Sequence, residues 1–159
     1  MKPVMHANTD QYVVFVIHDQ FFSLAIQEVI EIIRPKTITC VAGVKPYIEG
    51  VINLRGKIIP IINLRSRFGI HPTALQKKNR ILIVHGQDEE QIGLMVDEVR
   101  MVTSIADQQM EPAPDSYDTN EEQCFVCFAK VENDVIGILN LHQVLFPDML
   151  EGGTEHVSL

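Results

Sequence analysis

The sequence predicts an all-β fold with short helical turns, built from small barrels. Three observations carry that expectation. Apolar residues make up 46% of the 159-residue chain, and Val and Ile dominate them, the side chains that best fit a pleated, half-buried surface. The apolar runs are short and closely spaced, as in small closed sheets. The same order of elements also occurs twice: residues 24–32 align with 94–102 at a shift of 70, and residues 58–64 align with 135–141 at a shift of 77.

Tyr-Val-Val-Phe-Val-Ile at 12–17 reads as a strand, 18–20 as a turn, 21–26 as a second strand and 29–33 as a third that Pro35 stops. Leu24, Ile26, Val29, Ile30 and Ile33 could also share one helical face; the density of β-branched residues favours strand. Residues 50–65 form an apolar hairpin turning at Arg55-Gly56, where Gly supplies the positive φ of a tight turn. Asn63 and Asn140 stand where N-caps belong before short helical stretches at 63–68 and 140–146. Arg65 and Arg67 are expected to cover the exposed face of the first of these.

In the second copy, a strand and the polar turn at 86–90 lead into 94–102, and a later hairpin turns near Asn133-Asp134. Glu132-Asn133 falls opposite Arg55-Gly56, so an arginine tip belongs to the first copy alone. The repeats span about 12–70 and 80–147, each with about five strands, and the residues suggest one barrel per repeat. An apolar seam would join them, because neither copy alone buries much. Residues 103–123 read as an acidic, mostly irregular linker with one short turn from Asp107, and 1–11 and 148–159 as tails.

Composition excludes several functions. A net charge of −8, no Trp and few aromatics argue against binding nucleic acid. No apolar run approaches the roughly 18 residues of a membrane span, and the N-terminus lacks signal-peptide character; a cytoplasmic protein is expected. Gly50 to Gly56-Lys57 has five intervening residues and lies in a hairpin, so it is no phosphate loop. Cys124-Phe-Val-Cys127 has no second pair, Cys40 is distant, and the flanking residues suggest a strand, so these read as ordinary strand residues. The six histidines show no metal-ligand spacing, no Ser sits in a nucleophile elbow, and the carboxylates read as solvated faces and loops. No catalytic, cofactor or metal site is expected. Arg55 reads either as a contact device on a stiff arm or as a solubilising tip. Glu31, among isoleucines, either deters sheet pairing at an edge or meets a basic residue of a partner.

Several ordered motifs resemble one family across about Tyr12 to Phe146: Phe22-Ser-Leu-Ala-Ile26, Val29-Ile-Glu-Ile32, Ile48-Glu-Gly-Val-Ile-Asn-Leu-Arg-Gly56, Ile59-Pro-Ile-Ile-Asn-Leu-Arg65, Ile92-Gly-Leu-Met-Val-Asp-Glu-Val99, Pro112-Ala-Pro114 and Val135-Ile-Gly-Ile-Leu-Asn-Leu141. The chain resembles CheW-type coupling proteins of bacterial chemotaxis. The resemblance implies one domain of two intertwined five-stranded SH3-like barrels and no catalysis. It implies two partners: the SH3-like regulatory domain of the histidine kinase CheA and the cytoplasmic tip of methyl-accepting chemoreceptors, at membrane-associated arrays. It places the receptor and coupling surface at Val29, Glu31, Gly50, Asn53, Arg55 and Gly56. Where the family often has an aromatic soon after Pro112-Ala-Pro114, this chain has Asp115-Ser116-Tyr117 and an acidic Glu111 before it, so any array contact of that loop would be shifted to Glu111 and Tyr117, weakened or re-specified. Where the family often has Asp, this chain has Asn63, which can cap a helix but cannot pair ionically with a neighbouring Arg. At 159 residues there is no room for added kinase or receiver domains, so a stand-alone coupler is expected. A coupler of a pilus-type pathway is the near alternative. A small ligand-binding barrel is the alternative of another class, and it predicts a cavity with convergent polar groups.

Overall fold

The computed structural model describes residues 10–112 and 124–147. The expected C-terminal tail, most of the expected N-terminal tail, Tyr117 and much of the acidic linker lie outside the described residues.

Strands β1 (Gln11–Ile17), β2 (Gln20–Ala25) and β3 (Val29–Ile33) are followed by the hairpin β4 (Ile48–Leu54) and β5 (Lys57–Asn63) and the one-turn helix α1 (Leu64–Arg67). The order then returns: β6 (Arg80–His85), β7 (Gln91–Val96), β8 (Glu98–Ser104), the two-residue β9 (Met110–Glu111), β10 (Phe125–Val131), β11 (Asp134–Leu139) and α2 (Leu141–Leu145). Residues 26–28 form one turn of 3-10 helix rather than the longer helix that 24–33 could have made, so the second strand stops at Ala25 and not at Ile26, and a second such turn begins at Asp107 as expected. Strand β8 runs to Ser104 and β9 follows, so the linker holds more regular structure than its composition suggested.

Two sheets result, one of order β8-β1-β2-β11-β10-β9 and one of order β3-β6-β7-β5-β4. Each takes its first hairpin from the other half of the chain. The residue pattern suggested one barrel per repeat; the halves instead exchange β1–β2 for β6–β7, giving the intertwining that the resemblance implied. The exchange is symmetric in register. Ile61 lies beside Gly93 in the parallel pair β5·β7, and Ile138 beside Ser23 in β11·β2. Ile138 is 77 positions after Ile61, and Gly93 is 70 after Ser23, the same shifts that relate the repeats.

Exchange explains why the strands are nearly solid apolar runs. Tyr12 and Val14 of β1 face one barrel interior with Ile105, Ala129, Ile136 and Ile138. Phe15 and Ile17 of the same strand face a central core with Leu24, Leu82, Leu94 and Leu141. Ile81 and Ile83 of β6 fill the second interior with Ile52, Ile59 and Ile61, while Leu82 and Val84 join the central core. A strand covered on both faces has no place for alternating polar residues.

Both barrels close in the same way. Beyond β3 the chain swings back so that Thr39 pairs with Val51 of edge strand β4. In the other barrel, Glu111 of β9 pairs with Phe128, the residue 77 positions after Val51. The neighbouring bulges coincide too, between Ile48 and Gly50 in β4 and between Phe125 and Cys127 in β10.

Candidate docking site

The β4–β5 tip is a two-residue turn with Arg55 at φ 52° and Gly56 at φ 84°, both left-handed, as the type I′ hairpin requires. Leu54 and Lys57 pair across it. The Asn53 side chain accepts a hydrogen bond from the Gly56 N–H at 3.0 Å, which fixes the turn. The Asn53 carbonyl accepts from Lys36 Nζ at 2.9 Å. Arg55 Nη2 donates to Glu31 Oε1 in an ion pair, with Arg55 67% and Glu31 30% exposed.

The structure thus brings Glu31, Asn53, Arg55 and Gly56 together at one barrel mouth. The pair joins β3 to the β4–β5 tip, and so the two edges of the five-stranded sheet. Val29 is half-buried against the central core. Gly50 does not share the surface: it is buried, and a Cβ there would lie 2.1 Å from the Thr39 carbonyl oxygen. It serves the closure, not the contact face. Glu111 lies on the other sheet, in an ion pair with Lys130 at 3.1 Å.

Sequence reasoning missed the polar junction between the barrels. Asp97 stands where the chain leaves β7 of one sheet and enters β8 of the other. Arg65 forks onto it, Nε to Oδ1 at 2.9 Å and Nη2 to Oδ2 at 2.8 Å. The His18 N–H donates to Asp97 Oδ2 at 2.8 Å, Asn79 Nδ2 donates to its carbonyl at 3.0 Å, and its own N–H donates to Val16 O at 3.0 Å. Burial pushes the carboxyl up, but the Arg65 and His18 hydrogen bonds and the Arg65 charge outweigh it and hold Asp97 below its ordinary value.

Neither arginine of α1 covers an exposed face. The Arg65 side chain is 17% exposed, and Arg67 is 8% exposed and donates to the carbonyls of Val144 at 2.9 Å and Gln143 at 3.0 Å. A helix this short lies between barrels, so its arginines reach across the seam for partners. Asn63 caps α1 by accepting from the Arg65 N–H, and its amide donates to Glu49 at 2.9 Å. Arg65 finds its carboxylate in Asp97, so Asn63 is left free of any need to supply one.

A cleft of about 320 Å³ lies beside this junction, lined by Lys36, Glu49, Arg65 and Asp97 among others. Its charged groups already have partners: Arg65 pairs with Asp97, Glu49 accepts from the Asn63 amide and Lys36 donates to the Asn53 carbonyl. Burial raises the Cys127 thiol above its ordinary value, with Asp107 adding to the shift, the reverse of what an activated nucleophile needs. Among the described residues, no group of three or more His, Cys, Asp or Glu could hold a metal ion, and no helix is long and apolar enough to cross a membrane.

Two interlocked barrels with occupied interiors and an ion-paired hairpin at the surface define a scaffold-type β module. The profile of the CheW-like domain matches residues 11–146, and the chain belongs to that family. It is 31% identical over 136 residues to the chemotaxis protein CheW of Bacillus subtilis, covering 86% of each chain. To CheW of Helicobacter pylori it is 28% identical, covering 87% of this chain and 82% of that one. Protein PilI of Pseudomonas aeruginosa is 38% identical over 80 residues, half of this chain and 44% of its own. Among solved structures, the scaffolding protein TtCheW of Thermoanaerobacter tengcongensis superposes with a TM-score of 0.76 at 37% identity, covering 86% of this chain and 92% of that one.

Proposed function

We propose that this protein is a non-enzymatic chemotaxis adaptor that joins the regulatory domain of the histidine kinase CheA to the cytoplasmic tips of chemoreceptors, in the cytoplasm at membrane-associated arrays. Family membership over nearly the whole described chain is the observation that carries the reading, because the relatives with matching coverage are chemotaxis CheW proteins. The geometry supports it. Filled barrels sharing one core hold two surfaces at a fixed angle, so a displacement felt on one is passed to the other. The receptor and coupling surface is the barrel mouth of Glu31, Asn53, Arg55 and Gly56, with Val29 two residues before Glu31 on the same strand and Gly50 supporting the closure of that barrel. Glu111 marks a second contact region on the other barrel.

Binding to the isolated CheA regulatory domain and to a receptor signalling domain from the same organism tests this, by calorimetry at near-physiological salt. One-to-one binding to both is expected. If neither binds but the pilus-pathway counterparts do, the chain couples that pathway instead, the reading that the partial PilI match favours.

Arg55→Glu is expected to weaken coupling while shifting stability by about 1 kcal/mol or less, since an exposed ion pair contributes little. Receptor pull-down with a parallel melting curve checks it. An unfolded variant would make Arg55 a structural residue.

A further inference from the structure

The two hairpin tips occupy equivalent places in the two repeats and carry opposite charge. At the repeat shift of 77, Arg55, Gly56 and Lys57 correspond to Glu132, Asn133 and Asp134. Arg55 and Glu132 even share the left-handed conformation, at φ 52° and 58°. The hairpin recurs with inverted electrostatics, though only its first turn residue keeps the left-handed conformation.

The surroundings extend the contrast. Segment 34–57 holds Arg34, Lys36, Lys45, Arg55 and Lys57 against Glu49 alone, within a chain of net charge −8. Lys36 is bonded to the Asn53 carbonyl beside the tip, Arg34 directly follows the last residue of β3, and Arg34, Lys36, Arg55 and Lys57 are all exposed. Glu31 is the carboxylate that reaches this mouth, and it holds Arg55 in place. At the other tip, Lys130 is engaged by Glu111, next to Glu132 and Asp134.

We propose that the β4–β5 tip docks an acidic patch on a protein partner, and that the inverted charge of the β10–β11 tip denies that partner the second barrel. The inference rests on the coupler reading and adds to it the chemistry that tells the two barrels apart. A two-faced adaptor needs its faces to be unlike, and like-charge juxtaposition is an effective way to refuse a wrong partner. A protein fits better than an extended anionic surface. The exposed basic groups gather at one small mouth around Arg55, a footprint that a few clustered carboxylates on a protein match. Arginine also suits carboxylates through its two-pronged donor geometry.

The test uses the full chain, with the receptor signalling domain and the CheA regulatory domain as separate probes. The affinity for the receptor signalling domain is expected to fall about tenfold between low and physiological salt. Lys36→Glu with Lys57→Glu should lose about tenfold for that same probe at low salt, and Lys36→Gln with Lys57→Gln an intermediate amount. Glu132→Lys with Asp134→Lys should keep that affinity at the first tip and add binding at the second, read as a stoichiometry above one; a stoichiometry that stays at one would overturn the exclusion by charge. Circular dichroism of each variant verifies folding. If both probes bind but neither salt nor the charge changes at Lys36 and Lys57 matter, the inference falls and the coupler reading stands. If neither probe binds, the coupler reading falls first. Binding to phosphatidylglycerol vesicles that is lost in the Lys36→Glu, Lys57→Glu variant would overturn the protein-partner assignment.

Discussion

Gly50→Ala is expected to destabilise the protein by about 3 kcal/mol, visible as a loss of about 10 °C in melting temperature. The added methyl would sit 2.1 Å from the Thr39 carbonyl oxygen, 2.8 Å from its carbon and 2.9 Å from Ile38 Cγ2. The first two are backbone atoms, and they cannot step aside without breaking the two Thr39–Val51 hydrogen bonds, of 2.8 and 2.9 Å, that close the barrel. Gly50 also lies at φ 152°, which few side chains adopt readily. Gly56→Ala provides the contrast. That residue is open to solvent with nothing near its Cβ, so only its φ of 84° opposes the change, at a cost of about 1 kcal/mol. Thermal melts of the two variants side by side decide the matter. Equal and small losses would mean that the Thr39 approach is not what Gly50 is for.

Asp97→Asn is expected to cost about 3 kcal/mol at neutral pH, because it leaves the largely buried Arg65 guanidinium without its counter-charge. The pH dependence separates this from a loss of shape. Asp97 is held below its unfolded value, so its charge contributes stability that is fully present above that value, about pH 4. That contribution fades as pH falls through the lower folded value. The wild-type protein should therefore lose stability on acidification below about pH 4. The Asn variant should lose less over the same range, and the two curves should converge. Urea titrations across that range would show it. Parallel curves would mean that the Arg65 pair adds nothing beyond packing.

What the sequence revealed and what it hid divide by distance along the chain. Strands at 12–17 and 29–33, the turns at His18-Asp19 and Arg55-Gly56, and the caps Asn63 and Asn140 are local events, and local chemistry announces them. The repeat was legible because both copies kept their apolar order. The hairpin exchange was hidden from periodicity, which says that a strand is buried on both faces but not which half covers it. Asp97 was taken for one solvated carboxylate among many because Arg65 stands 32 residues away. Gly50 looked like part of a surface motif because nothing near it in sequence reports the approach of Thr39. Arg67 looked solvated because arginines usually are; the carbonyls it serves belong to α2.

The exchanged hairpins also set an order of events for a chain emerging from the ribosome. Synthesis through Val96 delivers every strand of the five-stranded sheet. The β1–β2 hairpin, made first, must wait for β8 and then for β11, whose Ile136 pairs with Phe21 from 115 residues away. Contacts that distant form slowly. The first hairpin of this domain is therefore the last to be enclosed, and its apolar faces are the ones a chaperone would meet. Pulse-labelling hydrogen exchange should find β6 and β7 protected before β2; protection of β2 first would reverse that order.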